Sequence, residues 1–294
     1  VYLDLRRMYR IIEINEKNMY AVVEPYVITA QLQAELMKRG LHMNVKGAGA
    51  NCAAMLRGHG HLDQTTSGDD RNHLAIEWVT PEGDIVRSGS LGSLGEWFCG
   101  DGPGPSLRAI LTSAVPPGVT PGVFTKAAMK VYHWPGPRRF PVQGVSPDYH
   151  LSEIPKNMMA RYYSFPSVEK MWEAEIRLGE NEVAFELMGF NVAMVAANIA
   201  KNNEEEEVLF RQFSREVQGP GFFVILAGNS EADFEYKKKA LEQIVRDAGG
   251  KSLKSVEDPK TEGVLLCQCI RRSASIRETF RPGGAFSSIP VMGQ

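Results

Sequence analysis

Cysteine is scarce in this chain: four residues in 294, at positions 52, 99, 267 and 269. So few thiols, so unevenly spaced, argue against a disulfide framework and suit a reducing, cytoplasmic setting. No apolar run approaches the roughly 18 residues that a membrane-spanning helix needs, and Val1 opens a strand-like segment rather than a signal peptide. Neither sign of charge dominates, with 33 basic against 35 acidic residues and a net charge of -2. A nucleic-acid partner, which leaves a basic face as its footprint, is therefore not expected. Histidines number only six. His59 and His61 flank Gly60 without a third ligand nearby in sequence, and the Cys267-Gln-Cys269 pair has no second pair and sits in the mostly apolar run GVLLCQCIRRS. Neither is metal spacing, no metal is expected, and Cys267 and Cys269 read as buried thiols. Cys99, without a paired histidine in its motif, is a weak candidate nucleophile.

What is present is ordinary globular material, 43% hydrophobic and 23% charged, enough for one large domain or two modest ones. Ile11 to Ile14 and Ala21 to Val23 read as two strands about the polar turn Glu16-Lys17-Asn18. Leu32 and Leu36 then share one face of a helix over Thr29 to Lys38, with Thr29 as its cap and Gly40 as its stop. Val45 to Asp70 is non-periodic and carries Gly47, Gly49, Gly58, Gly60 and Gly68, so it reads as loop. Such glycines serve as turns or let backbone approach a ligand. GAGAN, at Gly47 to Asn51, lacks the full spacing of a dinucleotide fingerprint. From Gly100 to Pro137 glycines and prolines again cluster, with Pro116, Pro117 and Pro121 stiffening the turn before an apolar run.

Three passages, in order, resemble the FAD-linked oxidases of the vanillyl-alcohol oxidase and p-cresol methylhydroxylase type, in particular their glycolate oxidase and D-lactate dehydrogenase branch. Val1 to Leu41 resembles the family's strand, strand, helix passage, with Tyr26 where the family usually has glycine. Ile76 to Ser90 resembles its hairpin about a Pro-x-Gly turn, and Pro121 to Pro137 resembles the end of its flavin domain. In the last, Gly122, Val123, Phe124 and Thr125 stand for a tetrad whose main chain touches FAD. The resemblance likewise implies FAD contacts at Gly47, Gly49, Ala50, Asn51, Gly58 and Gly60. It covers residues 1 to about 137. The family has a pyrophosphate-binding subdomain before the passage that starts at Val1 and a further stretch after Gln294, so the chain reads as an interior portion.

Beyond Pro137 the texture changes. Prolines at 135, 137, 141, 147 and 155 read as a linker. Strands are expected at 158–163, 183–188 and 222–226, and helices at 167–178, 191–200, 204–217 and 232–248. This half resembles the family's cap domain, on fold analogy. The expected class is α+β: a flavin-binding subdomain with a mixed sheet and helices, then an α+β cap with an antiparallel sheet. The expected division is 1–137 for the second part of the FAD-binding domain, 138–157 for the linker and 158–294 for the cap. Glu204 to Glu207 and Lys237 to Lys239 read as solvated helix faces, and Phe185, Met188, Phe190 and Met194 as core before pocket. Arg271, Arg272, Arg277 and Arg281 are candidates for a substrate carboxylate.

The resemblance implies an FAD-dependent oxidoreductase subunit that takes a hydride from a small substrate, a 2-hydroxy acid first. A phenolic or other alcohol is the alternative, and a non-catalytic scaffold that has lost the cofactor is the third. Electrons would leave to an acceptor, which could be a partner protein or an iron-sulfur subunit, and an oligomer is expected. No residue is assigned as catalytic base.

Overall fold

The computed structural model describes residues 3–43, 72–99, 122–145, 149–189 and 191–270. These divide into two units, one ending at Trp134 and the other beginning at Pro135.

The first unit is built on a five-stranded sheet. Its strands β1 (Ile11–Asn15), β2 (Tyr20–Val23), β4 (His73–Val79), β5 (Ile85–Arg87) and β6 (Val123–Lys130) run in the order β1-β2-β6-β4-β5, and every pairing is antiparallel. A mixed sheet was expected; here tight turns join β1 to β2 and β4 to β5, and hairpins force antiparallel pairing. Met19, at φ 56°, closes the first hairpin, and Gly83, at φ 94°, donates its N–H to the Thr80 carbonyl in the second. A separate antiparallel pair joins β3 (Leu41–His42) to β7 (Tyr132–His133).

Helix α1 (Thr29–Lys38) covers one face: its Leu32 and Leu36 are fully buried with Ala21, Val23, Ile76, Ala127 and Met129. Burial of each leucine contributes about 1.5–3 kcal/mol. Thr29 was expected to cap α1, but it is the first helical residue and wholly buried, and the cap position falls to Ile28, whose side chain cannot accept a hydrogen bond. The helix does stop at Gly40, which takes φ 73°. Tyr20, Val22, Ala75 and Ala128 point to the opposite face, where Leu91 of the short helix α2 (Gly89–Leu94) packs.

The second unit opens with a small pair, β8 (Val142–Gln143) and β9 (His150–Leu151), inside the proline-rich stretch. Its main sheet has the order β11-β12-β10-β13, from β10 (Met158–Ser164), β11 (Glu186–Gly189), β12 (Gly221–Ala227) and β13 (Lys251–Ser252), antiparallel throughout. Tyr163, Phe222, Val224 and Leu226 pack on one face against α3 (Val168–Glu180) and α6 (Glu231–Asp247). α4 (Val192–Ile199), α5 (Asn203–Glu216) and α7 (Pro259–Ile270) complete the unit, and on α7 the buried Glu262 accepts the Ala160 N–H at 2.8 Å.

Ser167, Asn191, Asn202 and Ser230 each cap the helix they precede by accepting an N–H from the first turn. The strand expected from 183 begins only at Glu186, because Val183 still donates to the Leu178 carbonyl and closes the helix end through Glu182 at φ 50°. No helix among the described residues is long and apolar enough to cross a membrane.

Candidate functional site

The tetrad Gly122 to Thr125 forms the entry to β6, and three local features fix its path. The first is Gly122, at φ 123°, where a Cβ would lie 1.9 Å from Trp78 Nε1 and 2.4 Å from the Val79 carbonyl oxygen. Only glycine brings this main chain so close to the neighbouring strand. The second is a β-bulge. Glu77 pairs with Lys126 and Trp78 with Phe124, which leaves Thr125 as the extra residue on β6. A bulge re-aims the side chain it carries, and the Thr125 hydroxyl lies 3.0 Å from Glu77 Oε1.

The third feature is the end of β2. That strand stops at Val23, opposite Ala127, so Val123 to Lys126 have a paired strand on the β4 side only, among the described residues.

Charge organises the same end of the sheet. Lys126 Nζ donates to Glu77 Oε1 at 2.9 Å, and Arg87 Nε donates to Glu77 Oε2 at 3.0 Å. Arg10, one strand beyond β2, donates to Glu24 through Nη2 at 2.8 Å, Nε at 3.1 Å and its backbone N–H at 2.7 Å. Glu24 also feels the charge of Lys126. The result is a row across all five strands, Arg10, Glu24, Lys126, Glu77, Arg87, alternating in sign.

Both carboxylates are buried, with side chains only 5% and 8% exposed for Glu24 and Glu77, and the cations are more open. Hydrogen bonds from Arg10 hold Glu24 below the usual carboxylate range against the opposing effect of burial. For Glu77 burial is the largest influence and acts upward, but the hydrogen bonds from Lys126, Arg87 and Thr125 together outweigh it, and the net shift is downward. Both are therefore ionised at neutral pH.

Cys99 and Glu96 are bound to α2 through Ser90. The Ser90 hydroxyl accepts the Cys99 N–H at 3.1 Å and lies 2.7 Å from the Glu96 carbonyl and 2.9 Å from that of Cys99, donating to one of them, while the Ser90 N–H donates to the Cys99 carbonyl at 2.8 Å. Ser90 of α2 thus holds Cys99, and Gly122 seats closely against Trp78 and Val79 of β4.

Of the residues expected to touch FAD, the structure brings Gly122, Val123 and Phe124 together on β6. Gly47, Gly49, Ala50, Asn51, Gly58 and Gly60 lie outside the described residues, as do Cys52, His59, His61, Phe190 and the arginines from 271 onward. Half-buried Cys99 is held by Ser90 through its backbone, and Cys267 is buried on α7 in no disulfide. Among the described residues no group of three or more His, Cys, Asp or Glu is placed to hold a metal ion. Phe185 and Met188 are buried, and Glu204 to Glu207 start α5, with Glu207 pairing to Arg211. Lys237 is less free than expected, since it reaches Asp233 and the Ala227 carbonyl, each at 3.2 Å.

Sequence reasoning missed Glu77, Lys126 and Glu24. The available signal was an acid and a base set inside otherwise apolar strands, HLAIEWV and VFTKAAMK. A strand entry whose glycine excludes any Cβ, followed at once by a bulge, suits a planar cofactor that takes main-chain hydrogen bonds. The described part of the site is compatible with FAD.

Residues 1–89 match the FAD binding domain family. No curated protein sequence matches the chain. Among solved structures, p-cresol methylhydroxylase with substrate bound is similar over 96% of this chain and 55% of its own, at TM-score 0.63 and 16% identity. The isoeugenol complex of 4-ethylphenol oxidase from Gulosibacter chungangensis is similar over 94% of this chain and 54% of its own, at 0.62 and 18%. Alkyldihydroxyacetonephosphate synthase follows with 92% and 47%, at 0.55 and 13%. The chain spans about half the length of these structures, and at such identities the likeness is one of fold. Residues 1–89 are thus an FAD binding domain, and the chain shares its α+β fold with p-cresol methylhydroxylase and 4-ethylphenol oxidase.

Proposed function

We propose that this chain is part of an FAD-dependent oxidoreductase that oxidises a small hydroxylated substrate. The observation that carries the reading is the FAD binding domain match over residues 1–89, with the Cβ-excluding glycine and the bulge at the entry to β6 in support. FAD, when bound, supplies the hydride acceptor. The protein's own part is to hold and orient. Main chain at Gly122, Val123 and Phe124, together with Gly47, Gly49, Ala50, Asn51, Gly58 and Gly60, binds the cofactor in this reading. Residues 1–137 are the flavin-binding part, 138–157 the linker and 158–294 the cap that shapes the substrate side.

Two substrate classes compete. A 2-hydroxy acid is supported by the resemblance of Pro121 to Pro137 to the glycolate oxidase and D-lactate dehydrogenase branch, and by the arginines near the C-terminal end as carboxylate partners. A phenolic substrate is supported by the fold shared with p-cresol methylhydroxylase and 4-ethylphenol oxidase, both named for phenols. The test is anaerobic reduction of the FAD-loaded chain by a panel of 2-hydroxy acids and p-alkylphenols, read as bleaching of the visible flavin band. Bleaching by hydroxy acids alone supports the first class and by phenols alone the second. A loaded chain that neither class bleaches counts against both.

A further inference from the structure

We propose that Glu77 is a positioning residue for the flavin: through the Thr125 hydroxyl and Lys126 it locks the bulge that presents the Gly122 to Phe124 main chain to FAD. The inference rests on the functional reading above and gives a role to a residue outside the tetrad.

The argument is geometric. Without a bulge, Thr125 would sit in register and its side chain would take the face opposite Lys126, since alternate residues of a strand face opposite ways. The observed pairing skips Thr125, and both Thr125 and Lys126 turn to one buried oxygen, Glu77 Oε1, at 3.0 and 2.9 Å. The hydroxyl also lies 3.2 Å from the Glu77 carbonyl oxygen, so one residue of β4 holds the bulge through side chain and backbone. Arg87 occupies the other carboxylate oxygen at 3.0 Å, which fixes the plane of the group. Just upstream, the bulge sets how Phe124 and Gly122 meet Trp78 and Val79. A register without it would shift the whole tetrad by one residue and reverse which groups face outward.

A structural role alone would change stability and leave the flavin's surroundings intact. The variants are Thr125→Val, which keeps the shape and loses the hydroxyl, Thr125→Ser, which restores it, Glu77→Gln, and Arg39→Ala as a control at an exposed ion pair of the same unit. Each is made in the full chain and measured by FAD titration, by visible circular dichroism of bound flavin, and by amide hydrogen exchange without FAD. We expect Thr125→Val and Glu77→Gln to weaken FAD binding by about tenfold, equivalent to about 1.4 kcal/mol. They should also alter the flavin dichroism and speed exchange at residues 122–126 while β1 and β2 stay protected. Thr125→Ser should restore all three readouts, and Arg39→Ala should stay within about twofold of the parent. Parent-like affinity and dichroism in both Thr125→Val and Glu77→Gln would overturn the proposal, whatever their stability. A parent chain that binds no FAD would defeat the functional reading and this one with it, whereas a parent that binds FAD beside unaffected variants defeats this one alone.

Discussion

Replacing Gly122 by alanine tests how tightly the entry to β6 is built. The new Cβ would meet Trp78 Nε1 at 1.9 Å and the Val79 carbonyl at 2.4 Å, and φ 123° is a conformation that alanine rarely adopts. The backbone strain costs about 1–3 kcal/mol. Overpacking adds about 1–3 kcal/mol. Gly83→Ala is the matched control, because Gly83 has φ 94° but nothing within 4 Å of its would-be Cβ. It should lose only the strain contribution, so Gly122→Ala should be worse by about 1–3 kcal/mol, the overpacking alone. Urea unfolding followed by tryptophan fluorescence reads this unit well, since Trp78, Trp97 and Trp134 belong to it and Trp172 does not. At a urea slope of about 2 kcal/mol per molar, the two midpoints should differ by about 0.5–1.5 M, with far-UV circular dichroism as a check against a local effect on Trp78. Equal midpoints for the two variants would refute the packing argument.

Acid should weaken the first unit in a defined window. Glu24 and Glu77 have lowered folded pKa values, so their stabilisation is present above the unfolded value of about 4.3 and is lost as pH falls through the lower folded values. Glu77→Gln should flatten that loss, and an unchanged acid limb in urea midpoints against pH would count against the row of charges. Ser90→Ala removes a hydroxyl that both accepts from and donates to the segment at Cys99. It should cost about 1–3 kcal/mol and raise the rate of Cys99 thiol labelling, and an unchanged rate would show that the anchor is dispensable. In the second unit, the Tyr162 hydroxyl is buried with no hydrogen-bond partner among the described residues, and burial pushes its phenol up to about 12. Tyr162→Phe should therefore be neutral or stabilising by up to about 1 kcal/mol; a clear loss of thermal stability would mean that the hydroxyl has a partner.

Local features were legible in the sequence, and long-range ones were not. The four cap residues Ser167, Asn191, Asn202 and Ser230 announce helices because the chemistry of a first turn is contained within four residues. β12 could be read from GFFVILA, which is buried along its whole length, and the β4–β5 hairpin from its Pro-x-Gly turn. Thr29 misled because a threonine at a helix start has two uses, and here the core takes it. The bond between Glu77 and Thr125 joins residues 48 apart, and no periodicity encodes which strand β6 enters between. The sheet order β1-β2-β6-β4-β5, the bulge and the five-residue row of charges all depend on that insertion. Gly122 was singled out by its motif, but its contact with Trp78 follows only once β4 and β6 are side by side.

The central claim is that this chain binds FAD, and a titration of the purified chain with FAD tests it most directly. Saturable quenching of flavin fluorescence, with a visible spectrum shifted from that of free FAD, is the predicted result, and it should weaken in Thr125→Val. A flavin spectrum and fluorescence identical to those of free FAD at every protein concentration would contradict the account.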